Sequence, residues 1–258
     1  MPMIRRVVNW VWEDEDAQKV FREWSPFPDR DAASRQVDRI ENFLEISPPL
    51  DILDVGCGNG RHAIELCRRG YTVKAIDVAK LYLDEAKRLT EQAGVSVEFR
   101  LQRGSELTET AAYDMVLALD HVIGFMSPGE IVKHFKAICR SLRRDGVFLY
   151  TFQGPRHIPA RELGPAHPFK NWGENDGRFI LSEKYYSDGC REEHNIVIDT
   201  NTGEIIEYYE YQRAYGLQAV VDLLKDAGFL SVQIYNNFDR EPASDEDFFV
   251  FVCRPGSN

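Results

Sequence analysis

The chain has 258 residues, with 42 acidic against 31 basic side chains, a formal charge of -11 and a pI near 5.1. Such a surface repels phosphate backbones and disfavours nucleic acid as a partner. A hydrophobic fraction of 43% beside 28% charged residues suits a water-soluble globular protein, and no apolar run nears the ~20 residues of a bilayer span.

Five cysteines, at 57, 67, 139, 190 and 253, form no CxxC pair and no zinc spacing, so reduced thiols and no metal are expected. The opening MPMIRRVVNWVWEDED lacks the apolar core of a leader, which makes a cytoplasmic location the expectation.

In chain order, residues 1–47 read as an N-terminal helical cap with helices over about 16–24 and 31–46. The second places Val37, Ile40 and Leu44 on one face. Trp10, Trp12, Phe21, Trp24 and Phe27 make the cap aromatic, either to cover the core or, as with Trp24 and Phe27, to close over a ligand. Residues 48–153 then alternate short apolar strands with amphipathic helices, the pattern of a parallel sheet covered by helices. The strands are DILDV, YTVKAI ending at Asp77, VSVEFRL, DMVLAL and VFLYTF. Between them lie a helix closing at Gly70, a helix over 80–93 stopped by Gly94, and a helix opened by the capping box Ser127-Pro128-Gly129-Glu130. The 80–93 helix is expected to bury Leu81, Leu89 and Ala93, and Asp145-Gly146 to turn the chain into the fifth strand.

Residues 154–213 change grammar. A proline-rich loop is followed by RFILSEKYY, EHNIVID and EIIEYYEYQRAY, which read as an antiparallel meander on the substrate side. Residues 214–258 return to the core with the helix LQAVVDLLKDAGF and the strands VQIYN and FFVFVC. The fold class expected is α/β, a Rossmann-like sheet with helices on both faces and an antiparallel β insert after the fifth strand.

LDVGCGNGRH, residues 53–62, gives up side chains where a strand turns into a helix. Bare backbone N–H groups and a helix N-terminus there suit a ligand lying close against the main chain. The spacing Gly56, Gly58, Gly60 is GxGxG, not the GxGxxG of dinucleotide sites, and Asp54 precedes it.

On these residues, with Asp77 ending the next strand, the chain resembles the class I S-adenosylmethionine-dependent methyltransferases. It looks most like bacterial small-molecule enzymes with an N-terminal helical cap and an antiparallel insert. The resemblance implies a seven-stranded sheet whose last strand is antiparallel. It also implies S-adenosyl-L-methionine as cofactor and S-adenosyl-L-homocysteine as product. The main chain at Gly56, Cys57, Gly58 and Gly60 would pass beneath the methionine part, Asp54 would help hold its amino group, and Asp77 would accept hydrogen bonds from the ribose. Val78, Gly104, Ser105, Leu119 and Asp120 complete the implied cofactor set. One departure stands out: LQRGSEL puts Arg103 and Gly104 where the family commonly has an acid for adenine. Ser105, Glu106 or a backbone carbonyl substitutes, the adenine end is held loosely, or the site is degenerate.

Methyl transfer is an in-line displacement that asks the protein for alignment, exclusion of water and, where needed, a base. His121, at the carboxyl end of the fourth strand, is the candidate base; the alternative is a histidine that packs or faces solvent. His157 and His167 rank behind it. Phe125, Trp172, Tyr209, Tyr211 and Arg213 are candidates for the acceptor pocket, or else residues that pack the sheet; Arg213 either anchors an acidic substrate or pairs with a carboxylate. Cys57 is expected to point into the core. A small-molecule acceptor, no nucleic acid, no membrane, and a monomer or homodimer follow. The rival readings are a non-catalytic binder of the cofactor and a nicotinamide-dependent oxidoreductase. A nucleic-acid methyltransferase is a third, against which stand the charge and DHVI in place of an Asn/Asp-Pro-Pro-aromatic tetrad.

Overall fold

A computed structural model describes residues 4–8, 12, 14–24, 30–119, 122–153, 169–187, 190–213, 215–238, 241–242 and 248–256. In chain order its elements are β1 (Ile4–Val8), α1 (Glu15–Trp24), α2 (Arg30–Leu44), β2 (Asp51–Val55), α3 (Arg61–Arg68), β3 (Thr72–Asp77), α4 (Lys80–Ala93), β4 (Glu98–Leu101), β5 (Tyr113–Ala118) and α5 (Pro128–Ser141). They continue with β6 (Leu142–Gln153), β7 (Phe169–Asn175), β8 (Arg178–Ser187), β9 (Cys190–Asp199), β10 (Glu204–Arg213), α6 (Leu217–Asp226), β11 (Phe229–Asn236), β12 (Glu241–Pro242) and β13 (Phe248–Pro255). The chain divides into two compact units, Met1–Pro26 with Pro155–Tyr215 and Phe27–Gly154 with Gly216–Asn258. The N-terminal segment is thus shared: β1 and α1 fall in the smaller unit and α2 in the larger.

The larger unit is built on a mixed sheet of order β12-β11-β13-β6-β5-β2-β3-β4, seven strands plus the two-residue β12 at one edge. Strands β2 to β6 run parallel, and the last strand, β13, is antiparallel to both β6 and β11. Parallel strands covered on both faces read as continuous apolar runs, and Ile52, Leu53 and Val55 of β2 are all buried. Helix α3 contributes Ala63, Ile64 and Leu66 to this core. Gly94 ends α4 in the left-handed conformation and the Ser127/Glu130 capping box opens α5, both where the sequence places them.

Two expectations change. Helix α4 buries Tyr82, Leu83, Ala86 and Thr90, while Leu81, Leu89 and Ala93 are only half-buried. Thr90 is tolerated there because its Oγ1 donates to the Ala86 carbonyl at 2.7 Å. Residues 145 and 146 lie within β6 rather than before it. Tyr113 pairs with Leu142 and Met115 with Val147, so residues 143–146 bulge out opposite Asp114. Arg143, in that bulge, reaches both Asp51 (2.8 Å) and Asp114 (2.6 Å).

Helix α2 is anchored to the core by buried Val37, Ile40 and Phe43 and by Arg69. That guanidinium meets Asp38 (2.7 Å), Glu41 (2.6 Å), Glu65 (2.9 Å) and the Ser34 carbonyl (3.0 Å).

The smaller unit is a five-stranded sheet of order β1-β10-β9-β8-β7, antiparallel except that β1 pairs parallel with β10. The meander β8-β9-β10 is as read from sequence; β1 and β7 are additional edge strands. One face buries Val8, Ala17, Ile180, Val197, Ile206 and Tyr208 together. Among the described residues no helix is long and apolar enough to cross a membrane.

Candidate functional site

Strand order β5-β2-β3-β4 sets four carboxyl ends side by side, with the sheet's direction of winding reversing at the β2/β5 border. A crevice outside such a reversal is where open α/β sheets take ligands. Val55 ends β2, and the chain then passes through Gly56 (φ 73°), Gly58 (φ 55°) and Gly60 (φ 73°), all left-handed. Three left-handed residues in five fold the loop back onto β3, where the Gly56 and Cys57 N–H groups both donate to the Ile76 carbonyl, at 2.8 and 3.1 Å.

Asp77 then ties loop to helix. Its Oδ2 accepts from Gly58 N–H and its Oδ1 from Ala79 N–H, both at 2.8 Å, so one carboxylate fixes the glycine turn and the entry to α4. Burial pushes its pKa up, against the N–H groups of Ala79, Gly58 and Val78 that favour the anion. Three N–H groups share its two oxygens, and a carboxylate's roughly four lone-pair sites leave room for a ligand donor. Asp54 is buried in β2, and its carboxylate, like that of Asp77, acts on the Cys57 thiol.

Gly60 has a different task from the other two glycines. A Cβ there would lie 3.0 Å from Phe99 Cζ and 3.1 Å from Ala86 Cβ, so the residue lets the start of α3 close onto β4 and α4. Cys57 points into the core, as expected. Burial raises its thiol pKa well above the usual range, and Asp54 and Asp77 add to that, so it stays a protonated thiol.

Val78 follows Asp77 and is half-buried; Leu119 is buried just after β5. Gly104 and Ser105 begin a short 3-10 turn after β4, linked to β3 through the Gln102 N–H and the Asp77 carbonyl (3.0 Å). Phe125 is half-buried at the end of the 3-10 turn Val122–Phe125. Asp120, His121, Phe27, His157 and His167 lie outside the described residues, and Trp24 is described only as the last residue of α1. Trp172, Tyr209, Tyr211 and Arg213 belong to the smaller unit, on one face of its sheet by strand register, with Tyr208 on the opposite face.

Sequence reasoning passed over three buried polar residues. Asn59, within the glycine loop, has an Oδ1 sealed from solvent and without a hydrogen-bond partner among the described residues. His62 Nε2 meets Gln36 Oε1 at 2.8 Å, joining α3 to α2, and burial lowers its pKa to about 3. His134, on α5, packs against Gly104, and burial lowers its pKa to about 4. A signal existed for the last: position 134 falls between Ile131, Phe135 and Ile138 on the buried side of α5.

Comparison with known proteins agrees with this geometry. A family model for the methyltransferase domain matches residues 52–146. The chain is 32% identical over 213 residues to a methyltransferase homologue from Geobacillus sp. (strain WCH70), covering 79% of this chain and 83% of that one. A crystal structure of an S-adenosylmethionine-dependent methyltransferase from Clostridium acetobutylicum superposes with a TM-score of 0.74 at 16% identity, covering 94% of this chain and 98% of that one. The structure of S-adenosylmethionine-bound CalS10, an amino pentose methyltransferase from Micromonospora echinaspora, gives 0.58 at 18% identity, covering 93% and 97%. With a glycine turn pinned by a carboxylate at the carboxyl edge of this sheet, and a relative of this similarity across most of its length, the chain belongs to the class I S-adenosylmethionine-dependent methyltransferases.

Proposed function

We propose that this methyltransferase acts on a small organic molecule, moving a methyl group to an N, O or C atom by in-line displacement. The observation that carries the cofactor half of the reading is Asp77 bridging Gly58 and Ala79 at the strand ends. The residues present suit the cofactor, since the loop backbone is bare, two carboxylates are enclosed beside it, and Asn59 presents a buried acceptor that the described protein leaves unused.

When bound, S-adenosylmethionine supplies an activated methyl group on a cationic sulfur. The chain's part is then to hold and exclude. Asp77 would accept from the ribose diol and Asp54 would hold the amino group, while the Gly56–Gly58 main chain lets the amino-acid tail lie close. Val78 and the Gly104-Ser105 turn would border the base, with Leu119 and Asp120 along the β5 end. His121 is the residue proposed to take a proton from the acceptor. Acceptor choice is assigned to the inserted sheet and to Trp24, Phe27 and Phe125. An acidic surface supports the choice of a small molecule over nucleic acid.

The test is release of S-adenosylhomocysteine in the presence of amine, phenol and carboxylate acceptors. The reading expects at least one class to raise turnover above the acceptor-free rate. Cofactor binding without turnover on any class would overturn it.

A further inference from the structure

Arg213 is the last residue of β10 and pairs in register with Cys190. Every other arginine of this sheet has a carboxylate: Arg5 pairs with Glu207, Arg6 with Asp14 and Asp16, Arg178 with Asp199, and Arg191 with Glu210. Arg213 has none among the described residues. Its Nη2 donates to the Tyr211 hydroxyl at 2.8 Å, with the guanidinium carbon 5.7 Å from the Tyr211 ring centre. Apart from desolvation, the largest electrostatic influences on it come from Cys190, Tyr211 and Tyr215, a thiol and two phenols. In a chain with 42 acidic side chains, this half-buried cation has no carboxylate partner among the described residues.

The Tyr211 hydroxyl accepts from Arg213 and donates to Cys190 Sγ at 2.9 Å, so it is satisfied. Two neighbouring donors are not. Arg213 Nε and the Tyr215 hydroxyl are both sealed from solvent with no acceptor among the described residues, and Tyr215 as a whole is only 7% exposed. A desolvated donor without an acceptor costs free energy, which an acceptor brought by a ligand would recover. Nε with the second Nη2 proton forms the side-on fork of a guanidinium, the geometry that takes two oxygens of a carboxylate or phosphate.

We propose that Arg213 and Tyr215, with Tyr211 holding the guanidinium in place, form an anion-binding site at the end of β10. Its ligand is a small molecule carrying a carboxylate or phosphate. This deepens the reading above, on which it rests for the identity of the ligand, by giving the methyl acceptor an anionic group. The site itself is testable without turnover.

The experiment follows the Arg213 Nε–H resonance of the full-length protein, assigned through Arg213→Lys, while inorganic phosphate or acetate is added at constant ionic strength. The proposal expects a saturable shift with at least one of them. Preference for phosphate would point to a phosphorylated acceptor, and preference for acetate to a carboxylic acid. The affinity, read from tyrosine and backbone resonances, should fall at least tenfold in Arg213→Met and about threefold in the conservative Tyr215→Phe, the loss of one of several donors to an anion. S-adenosylhomocysteine affinity should be unchanged in both variants, which separates this site from the cofactor site. No saturable shift with either anion in the wild type, or unaltered affinity in Arg213→Met, would overturn the proposal.

Discussion

The imidazole of His134 fills the space that a side chain on Gly104 would need: an ideal Cβ there would lie 2.3 Å from His134 Cε1 and 2.4 Å from Nδ1. Packing of the turn on α5 therefore accounts for a glycine at position 104. Gly104→Ala should cost about 2 to 3 kcal/mol, at the upper end of overpacking in a filled interior. His134→Ala empties the contested space, so the double variant should be less destabilised than the sum of the singles by at least ~1 kcal/mol. Urea unfolding of the four proteins measures this; strict additivity would show that the two residues do not compete for space.

Burial of His134 and His62 sets a pH dependence of known sign. Their pKa values fall from 6.5 to about 4 and about 3 in the folded protein, so the unfolded chain takes up protons first as pH drops. Each contributes stability that is present above about 6.5 and is lost as pH falls toward its folded value. For His134 the loss integrates to about 3 kcal/mol at 1.36 kcal/mol per unit. Asp77 acts oppositely, since its raised pKa makes its contribution fade as pH rises above 3.8. The net expectation is acid destabilisation beginning below about 6.5, with a shallower slope between pH 6.5 and 4 in His134→Leu than in the wild type. Equal slopes in denaturant titrations would contradict the enclosure of His134.

Gly60→Ala combines a left-handed φ of 73° with a Cβ 3.0 Å from Phe99 Cζ. The conformation alone costs about 1 kcal/mol or more for an L residue, and the contact adds to it. Phe99→Leu in the same background should recover part of the loss. Thermal melts report both, and a Gly60→Ala protein as stable as the wild type would refute the packing role given to this glycine.

The run from β2 to α4 is legible in the sequence because each of its signals is local. Asp51–Val55 is a short strand whose Ile52, Leu53 and Val55 are apolar, the glycines follow at once, Asp77 ends the next strand, and Gly94 stops the helix. What escaped reading depends on distant partners. IRRVV of β1 shows no alternation because Arg5 is held by Glu207 across the sheet and Arg6 by Asp14 and Asp16, so polar residues occupy both faces. FKNWGEN of β7 is an edge strand with an exposed Trp172 and gives no period-two signal. The buried face of α4 was misjudged because Tyr82 and Thr90 look like surface residues until the Thr90 hydroxyl is seen bonded to its own helix. His62 and His134 are silent in sequence for the same reason. Their environments are made by Gln36 on another helix and by Gly104 on a turn between strands.

The central claim is that the carboxylate gripping the glycine turn also grips the cofactor. Calorimetric titration of S-adenosylhomocysteine into the wild type and into Asp77→Asn tests it directly. The account predicts one site per chain in the wild type and an affinity at least tenfold weaker in the variant, about 1.4 kcal/mol or more, as for a lost hydrogen bond to a charged group. Equal affinities in two folded proteins, or no saturable heat with the wild type, would contradict it.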